Sequence, residues 1–305
     1  VEIHQLTILR ELGALGSVTA VAEALHVSPS AVSQHLAALQ RQFATPLTRR
    51  EGRVLTLTDA GVELARAGAG VIDAMAAAQS AVEEFEDRTG GTVTLSSFHS
   101  AGQAVFGPLL RELGTGRPDS PDLRLADEDV AQSDFPALTA QYDLVLAHRM
   151  EHSPPWPGAD LHVVHLAREP LDVALPAAHP LARRRTLRPR DVIGERWVTS
   201  RVGYSPDDVL TAVAALASRP AEVVHRVNDY GAVAALVAAG SGIGLLPRYT
   251  SPHPYDDVVL RPLHGLSTSR TIDVLARPET LRRRSVQVVV RALRVVMERL
   301  VASTG

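Results

Sequence analysis

The 305-residue sequence has no cysteine, which excludes disulfides, thiolate metal sites and a cysteine nucleophile. It has no lysine either; every basic residue is arginine, which reads as compositional bias rather than function. Acidic residues (34) outnumber basic ones (31), so the chain as a whole is no polycation. Any nucleic-acid contact must therefore come from local basic patches. No basic stretch leading into an apolar run stands near Val1, where a secretory signal would show one, and a cytoplasmic location is expected. The uncharged stretch 231–247 falls short of the roughly 20 residues a membrane span needs. It is also broken by Gly240-Ser241-Gly242, so it reads as protein core and no membrane partner is expected. There is no Gly-x-Ser-x-Gly elbow and no triad-like spacing, hence no catalytic constellation and no sign of an enzyme.

What is present is organised around 17–39, SVTAVAEALHVSPSAVSQHLAAL. Two apolar-periodic segments, 18–25 and 29–43, flank a sharp turn at His26-Val27-Ser28. In the second, Val32, Leu36, Leu39 and Phe43 recur at helical spacing. Ser28 can cap its first amides, and Pro29 sits at the first helical position, where no amide is needed. The opposite face then carries Ser30, Ser33, Gln34, Ala37 and Arg41. Small hydrogen-bonding groups ending in an arginine suit a helix that reads base edges in a major groove. An ordinary helical hairpin with a polar outer face fits the same spacing.

The next residues favour the first reading. Between Arg41 and Arg53 stand Arg49 and Arg50, four arginines in all against the single acid Glu51. Val54-Leu55-Thr56-Leu57 is β-prone, with Glu51-Gly52 as the turn before it. Arg50 and Arg53 on such a wing would meet phosphates while the helix meets bases. Here the sequence resembles the LysR-type transcriptional regulators. The matching residues are Leu6 and Leu9, Gly16-Ser17, Ala22-Glu23 with Leu25, Ser30-Ala31-Val32-Ser33 with Leu36 and Leu39, then Leu47, Arg50, Gly52, Arg53 and Leu57-Thr58-Asp59-Ala60-Gly61. Pro29, Gln40 and Thr48 depart from the family's usual glutamine, glutamate and phenylalanine.

From Thr58 a helix is expected to about Arg88, with Leu64, Gly68, Val71, Met75, Ala78, Val82 and Phe85 forming one continuous seam. Such a seam pairs with a second copy or packs on its own chain; the resemblance implies a dimer linker. After Thr89-Gly90-Gly91 the pattern becomes alternating strands and helices. Strands are expected near 93–96, 123–126, 143–147, 161–166, 171–175, 197–199, 223–227, 243–246, 258–260 and 271–276, with helices at 102–113, 206–218, 230–239 and 278–300. This alternation argues a mostly parallel sheet covered on both faces, and its length suggests two such units.

The family resemblance implies two Rossmann-like, periplasmic-binding-protein-like subdomains joined by two crossover strands. It rests here on Glu169-Pro170-Leu171, Leu175-Pro176, His179-Pro180-Leu181 and the run from Val237 to Pro247. The expected α/β architecture is a winged helix-turn-helix (1–58), a linker helix (59–90) and an effector domain (91–305). Within that domain, subdomain I takes 91–167 and 267–305, and subdomain II takes 168–266.

Other motifs carry less. Gly240–Gly244 looks like a dinucleotide loop, but it follows a helix and opens a strand, the reverse of a nucleotide-binding turn. No cofactor is expected. His148 and His152, with His162 and His165, lie in a segment running into a proline-rich loop and read as exposed histidines, not a metal site. Arg183-Arg184-Arg185, with Arg188 and Arg190, and Arg282-Arg283-Arg284 read as solvated surface.

In a two-lobed α/β domain a ligand belongs in the cleft, beyond the carboxyl ends of the strands. The first strand end is Ser96-Ser97-Phe98-His99-Ser100, and its hydroxyls beside a helix N-terminus could seat a carboxylate. The facing wall would come from His148, Thr199, Ser200 and Asn228. These mostly neutral groups suit a small polar effector. The expectation is a ligand-responsive transcriptional regulator, a homodimer or homotetramer on double-stranded DNA with an interrupted palindrome. The alternatives are a solute-binding protein or an enzyme on the same two-lobed domain.

Overall fold

The computed structural model describes residues 1–52, 54–85, 90–114, 120–156, 161–251 and 256–304, with backbone alone at 83–85 and 304. The chain begins with helices α1 (Ile3–Leu15), α2 (Val18–Ala24) and α3 (Pro29–Gln40), then a hairpin of β1 (Thr48–Glu51) and β2 (Val54–Leu57). Gly16 closes α1 at φ 65°, a left-handed conformation that costs glycine nothing. The Ser17 hydroxyl caps α2 at Ala20 N (3.4 Å), and Ser28 caps α3 at Ala31 N (3.1 Å). Ile8, Leu9, Leu12, Val21, Val32, Leu36 and Leu39 close the core between them.

The second helix of this pair ends earlier than its apolar spacing predicts. Gln40 is the reason it can turn: its amide nitrogen donates to the carbonyls of Phe43 (3.1 Å) and Thr45 (3.0 Å), and its Oε1 accepts from Leu47 N (2.7 Å). A carboxylate could take the last bond but could not donate the other two. The departure from glutamate thus has a local use.

Helix α4 (Asp59–Phe85) starts where Thr58 accepts from Gly61 N (3.1 Å) and donates to Pro46 O (2.6 Å). A Cβ at Gly61 would lie 2.0 Å from Leu47 O, so only glycine lets α4 approach the wing. Its first half packs on α1, with Gly68 against Leu6 and with Ala65 and Ile72 buried. Leu64 is half-buried against the head core. The expected seam is therefore divided. Leu64 and Gly68 are taken up inside the chain, because α1 covers that end, whereas Val71, Met75, Ala78 and Val82 remain exposed. The side chain of Phe85 and residues 86–89, Arg88 among them, lie outside the described residues.

The rest of the chain runs β3 (Thr92–Ser97), α5 (His99–Leu113), β4 (Asp122–Asp127), α6 (Phe135–Leu138), β5 (Leu144–Met150) and β6 (His162–Pro176). It continues α7 (Pro189–Val192), β7 (Arg196–Thr199), α8 (Ser205–Ala217), β8 (Glu222–Arg226), α9 (Tyr230–Ala238), β9 (Ile243–Pro247), β10 (Val258–Arg261), β11 (Ser269–Ala276), α10 (Pro278–Arg282) and α11 (Arg284–Thr304). The strand order is β4-β3-β5-β11-β6-β9-β7-β8, with β10 also on β6. Pairs β3/β4, β3/β5, β7/β8 and β7/β9 are parallel; β11 with β5 and β6, and β6 with β9 and β10, are antiparallel. Two parallel α/β units are thus stitched by antiparallel strands.

The strands expected at 161–166 and 171–175 are one, β6. Up to Pro170 it pairs with β11, and from Leu171 with β9. Proline stands where the strand changes partners, so its missing amide costs no ladder bond. The last predicted helix is two, broken at Arg283 (ψ 127°), whose guanidinium reaches Asp143 (2.6 Å) and the Thr92 carbonyl (2.6 Å). Arg282 in turn grips Asp73 of α4 through two bonds of 2.6 Å. These two arginines are ion-paired anchors, not the solvated surface expected of them.

Gly240 to Gly244 does join α9 to β9. A Cβ at Gly242 would lie 2.5 Å from Arg196 O, and one at Gly244 2.8 Å from a Val233 methyl, so these glycines serve packing. The head is fixed to the larger domain by a buried cluster at the end of β11. Glu11 of α1 takes Arg277 Nη2 (2.7 Å) and Arg10 Nε (3.1 Å), and Arg10 Nη1 reaches Glu279 (2.7 Å). Among the described residues no helix is long and apolar enough to cross a membrane.

Candidate nucleic-acid interface and ligand cleft

Helix α3 buries Val32, Leu36 and Leu39, and the same geometry turns Ser28, Pro29, Ser30, Ser33, Gln34, Ala37 and the following Arg41 outward. Gln34 Nε2 rests 3.5 Å from Ser30 Oγ, and Ser33 Oγ donates to Pro29 O at 3.0 Å. Both are local bonds that a base edge could replace. On the wing Arg49 is held by Glu51 (2.7 Å), whereas Arg50 is exposed and makes no described ion pair. Arg53 lies outside the described residues.

A narrow cleft opens between the two α/β units. Its lining includes Phe98, His99, Ser100, His148, Ser200 and Asn228, six of the nine residues expected there. Ser96, Ser97 and Thr199 are not part of it. They still belong to paired strands and are buried, whereas after β3 and β7 the lining begins at the next residue, Phe98 and Ser200. Ser97 Oγ donates to Phe98 O (3.0 Å), and the hydroxyls of Ser96 and Thr199 are buried without a hydrogen-bond partner among the described residues. His148 is on strand β5 rather than in a loop. Its ring packs edge-on against Phe98 (4.6 Å) and Phe135 (5.4 Å). Burial, helped by the charge of Arg270, holds its pKa well below the usual histidine value, so it is neutral.

The sequence reading missed the cleft's charged floor. Arg270, at the start of β11, is 1% exposed and donates through Nε (2.9 Å) and Nη2 (2.8 Å) to Glu169 of β6. Its Nη2 also reaches Thr250 Oγ1 (3.0 Å) and Ser100 Oγ (3.2 Å). Glu169 accepts in addition from the amides of Tyr249 (2.8 Å) and Thr250 (2.6 Å). This network draws on residues up to 170 positions apart, so no local pattern announces it. Tyr204, Ser205, Pro206, Tyr230 and Asp129 complete the lining. The starts of α5, α8 and α9 all contribute to it, at His99, Ser205 and Tyr230. Burial pushes the Tyr230 hydroxyl up from its usual pKa.

At the rim His99 spans the opening. Its Nδ1 meets Asp127 (2.6 Å), and its Nε2 meets Asp229 (3.2 Å), the residue that caps α9 through Ala232 N (2.6 Å). Elsewhere His165 pairs with Asp273 (3.0 Å), and no grouping of metal-ligating side chains occurs among the described residues.

A winged helix-turn-helix head carried on a two-lobed α/β domain with a lined cleft is the architecture of a transcriptional regulator. The chain belongs to the LysR family: residues 3–62 match the bacterial regulatory helix-turn-helix protein of that family, and residues 86–298 match the LysR substrate binding domain. Among curated proteins it is 25% identical over 288 residues to a probable RuBisCO transcriptional regulator of Synechocystis sp., covering 92% of this chain and 82% of the relative. It is 25% identical over 251 residues to the Hca operon transcriptional activator HcaR of Escherichia coli, covering 81% and 82%. Among solved structures, a full-length OxyR variant from Pseudomonas aeruginosa matches with TM-score 0.61 at 17% identity, covering 96% and 98% of the two chains. Full-length CbnR complexed with its target DNA matches with TM-score 0.51 at 19% identity, covering 97% and 100%.

Proposed function

We propose that the chain binds an interrupted palindromic operator as a homodimer or homotetramer and changes that binding when a small polar molecule occupies the cleft. The observation that carries this is the division of α3 into a buried apolar face and an outward face of Ser30, Ser33, Gln34 and Arg41. CbnR, a protein of the same fold, is described in complex with its target DNA, which supports the same use of the head here. In this reading residues 1–58 bind DNA, 59–90 dimerise, and 91–305 sense the ligand, with subdomain II at 168–266. The protein would act in the cytoplasm, where its DNA is.

The cleft residues assigned to the ligand are Phe98, His99, Ser100, His148, Ser200 and Asn228, joined by Tyr204, Tyr230 and Arg270. Arg270 and Glu169 cancel in charge, so a hydrogen-bonding ligand still fits better than a lipid. Ser28 and Pro29 begin the reading helix; Ser33 and Gln34 meet bases, and Arg41, Arg50 and Arg53 meet phosphates.

The test is genome-wide mapping of bound DNA, followed by titration of the recovered sites. Gln34→Ala should cost about 1–3 kcal/mol at one base position and leave random DNA unaffected. Arg50→Ala should weaken both and flatten the salt dependence by roughly one unit. Equal losses on operator and random DNA for both variants would remove the division of labour.

A further inference from the structure

Away from the cleft, Arg183, Arg184, Arg185 and Arg261, with Leu260 and Pro262, line an open depression. It shares no lining residue with the ligand cleft. The arginine run is not a free loop. Ala182 and Leu187, at its two ends, are buried. Arg261 donates to the Ala182 carbonyl from both Nε (3.0 Å) and Nη2 (2.7 Å). Leu187 N bonds Pro262 O (2.9 Å), and His264 N bonds Leu187 O (2.8 Å). Both ends are thereby tied to the strand that carries Arg261.

Charge is poorly balanced here. Arg184 pairs with Asp191 (2.8 Å), but among the described residues no carboxylate pairs with Arg183, Arg185 or Arg261. Four guanidiniums thus face one carboxylate in a chain whose net charge is −3. Gathering like charges on one surface raises the local positive potential, which a bound anion lowers. Planar guanidinium forks match the oxygens of a phosphate, and a tetrahedral dianion can engage several forks at once where a carboxylate engages one or two.

We propose that Arg183, Arg184 and Arg185 form a phosphate-binding site distinct from the ligand cleft, with Arg261, whose three guanidinium nitrogens donate to backbone carbonyls, adding its charge. The phosphate belongs either to a small phosphorylated metabolite or to the backbone of bound DNA, and the two sources are separable. Arg183 and Arg185 are exposed and make no described ion pair, so R183Q/R185Q should fold as the wild type does; R188Q/R190Q, which removes two exposed arginines outside the depression, controls for net charge.

The full-length protein is titrated calorimetrically with inorganic pyrophosphate, and separately with operator-free duplex at several salt concentrations. One-to-one pyrophosphate binding that weakens tenfold or more in R183Q/R185Q, but not in R188Q/R190Q, supports the site and a small-molecule source. No pyrophosphate binding, with a DNA salt slope lower by about two units in R183Q/R185Q only, supports the site and a DNA source. A flat pyrophosphate titration with an unchanged salt slope overturns the proposal. So does an R188Q/R190Q effect as large as that of R183Q/R185Q.

Discussion

His99 joins two subdomain elements through one ring, and its protonation is what makes both contacts attractive. The hydrogen bond to Asp127 raises its pKa above 6.5; partial burial works against this, and the charges of Asp127, Asp229 and Asp129 add to it. The folded value therefore lies above the unfolded one. The stabilisation is complete below about pH 6.5 and fades as pH rises through the raised value. Because all three side chains are 40–48% exposed, water screens the bridge, and well under about 1 kcal/mol is expected. Melting temperatures of wild type and His99→Gln should differ most at the acid end of a series rising from pH 6.5 and converge at alkaline pH. A gap that stays constant across the series would mean that His99 acts by packing alone.

Arg270 and Glu169 are a different case, since both are essentially withdrawn from water. Removing one partner leaves a buried charge uncompensated, which costs about 3–5 kcal/mol, whereas replacing both by apolar side chains costs less. Glu169→Ala should therefore destabilise the protein more than the E169M/R270M double variant does, as read from denaturant unfolding. A double variant worse than the single would show that the bonds Arg270 makes to Ser100 and Thr250, which only the double variant loses, outweigh the unpaired charge.

Among the elements, α4 shows how one helix face is divided between two tasks. The end nearest the head is covered by α1; farther along, Val71, Met75 and Val82 are 50%, 45% and 59% exposed. Exposed apolar residues at spacings of four and seven on one helix make a surface a second copy can cover. Since Val71 has little contact with its own chain, Val71→Asp should leave the monomer folded yet bury a charge in any dimer seam. Sedimentation should show a shift toward monomer at concentrations where the wild type is dimeric, with weaker operator binding. A variant that sediments and binds as the wild type does would place the dimer seam elsewhere.

For the whole molecule, Glu11 stands at the buried contact between head and effector domain, where it balances two arginines contributed from opposite sides of the junction. Strand β11 carries Arg270 of the cleft at one end, and Arg277 follows its other end. The paired strand from Arg270 to Ala276 thus runs from the cleft to the junction with α1. Glu11→Ala should free the head, expanding the particle in small-angle scattering and exposing the junction to proteolysis, with the head still folded. An unchanged scattering profile would show that Arg282 and Asp73 suffice to hold the domains together.

The head was legible from the sequence because its determinants are local. A cap, a proline at the first helical position and apolar residues three and four apart act within a single turn of helix. The alternation of strands and helices was legible for the same reason, as were the cleft residues that directly follow a strand end, such as His99 and Ser200. The joining of two predicted strands into β6, the split of the α4 seam and the pairing of Arg270 with Glu169 were not. Each depends on a partner far along the chain: β11 and β9 for the strand, α1 for the seam, and a separation of 101 residues for the ion pair. Local chemistry decides which element a segment forms, because backbone hydrogen bonds and caps close over a few residues. What a face touches, and whether a charge is buried or paired, is decided only once distant segments pack, because desolvation depends on everything around the group and not on its neighbours in sequence.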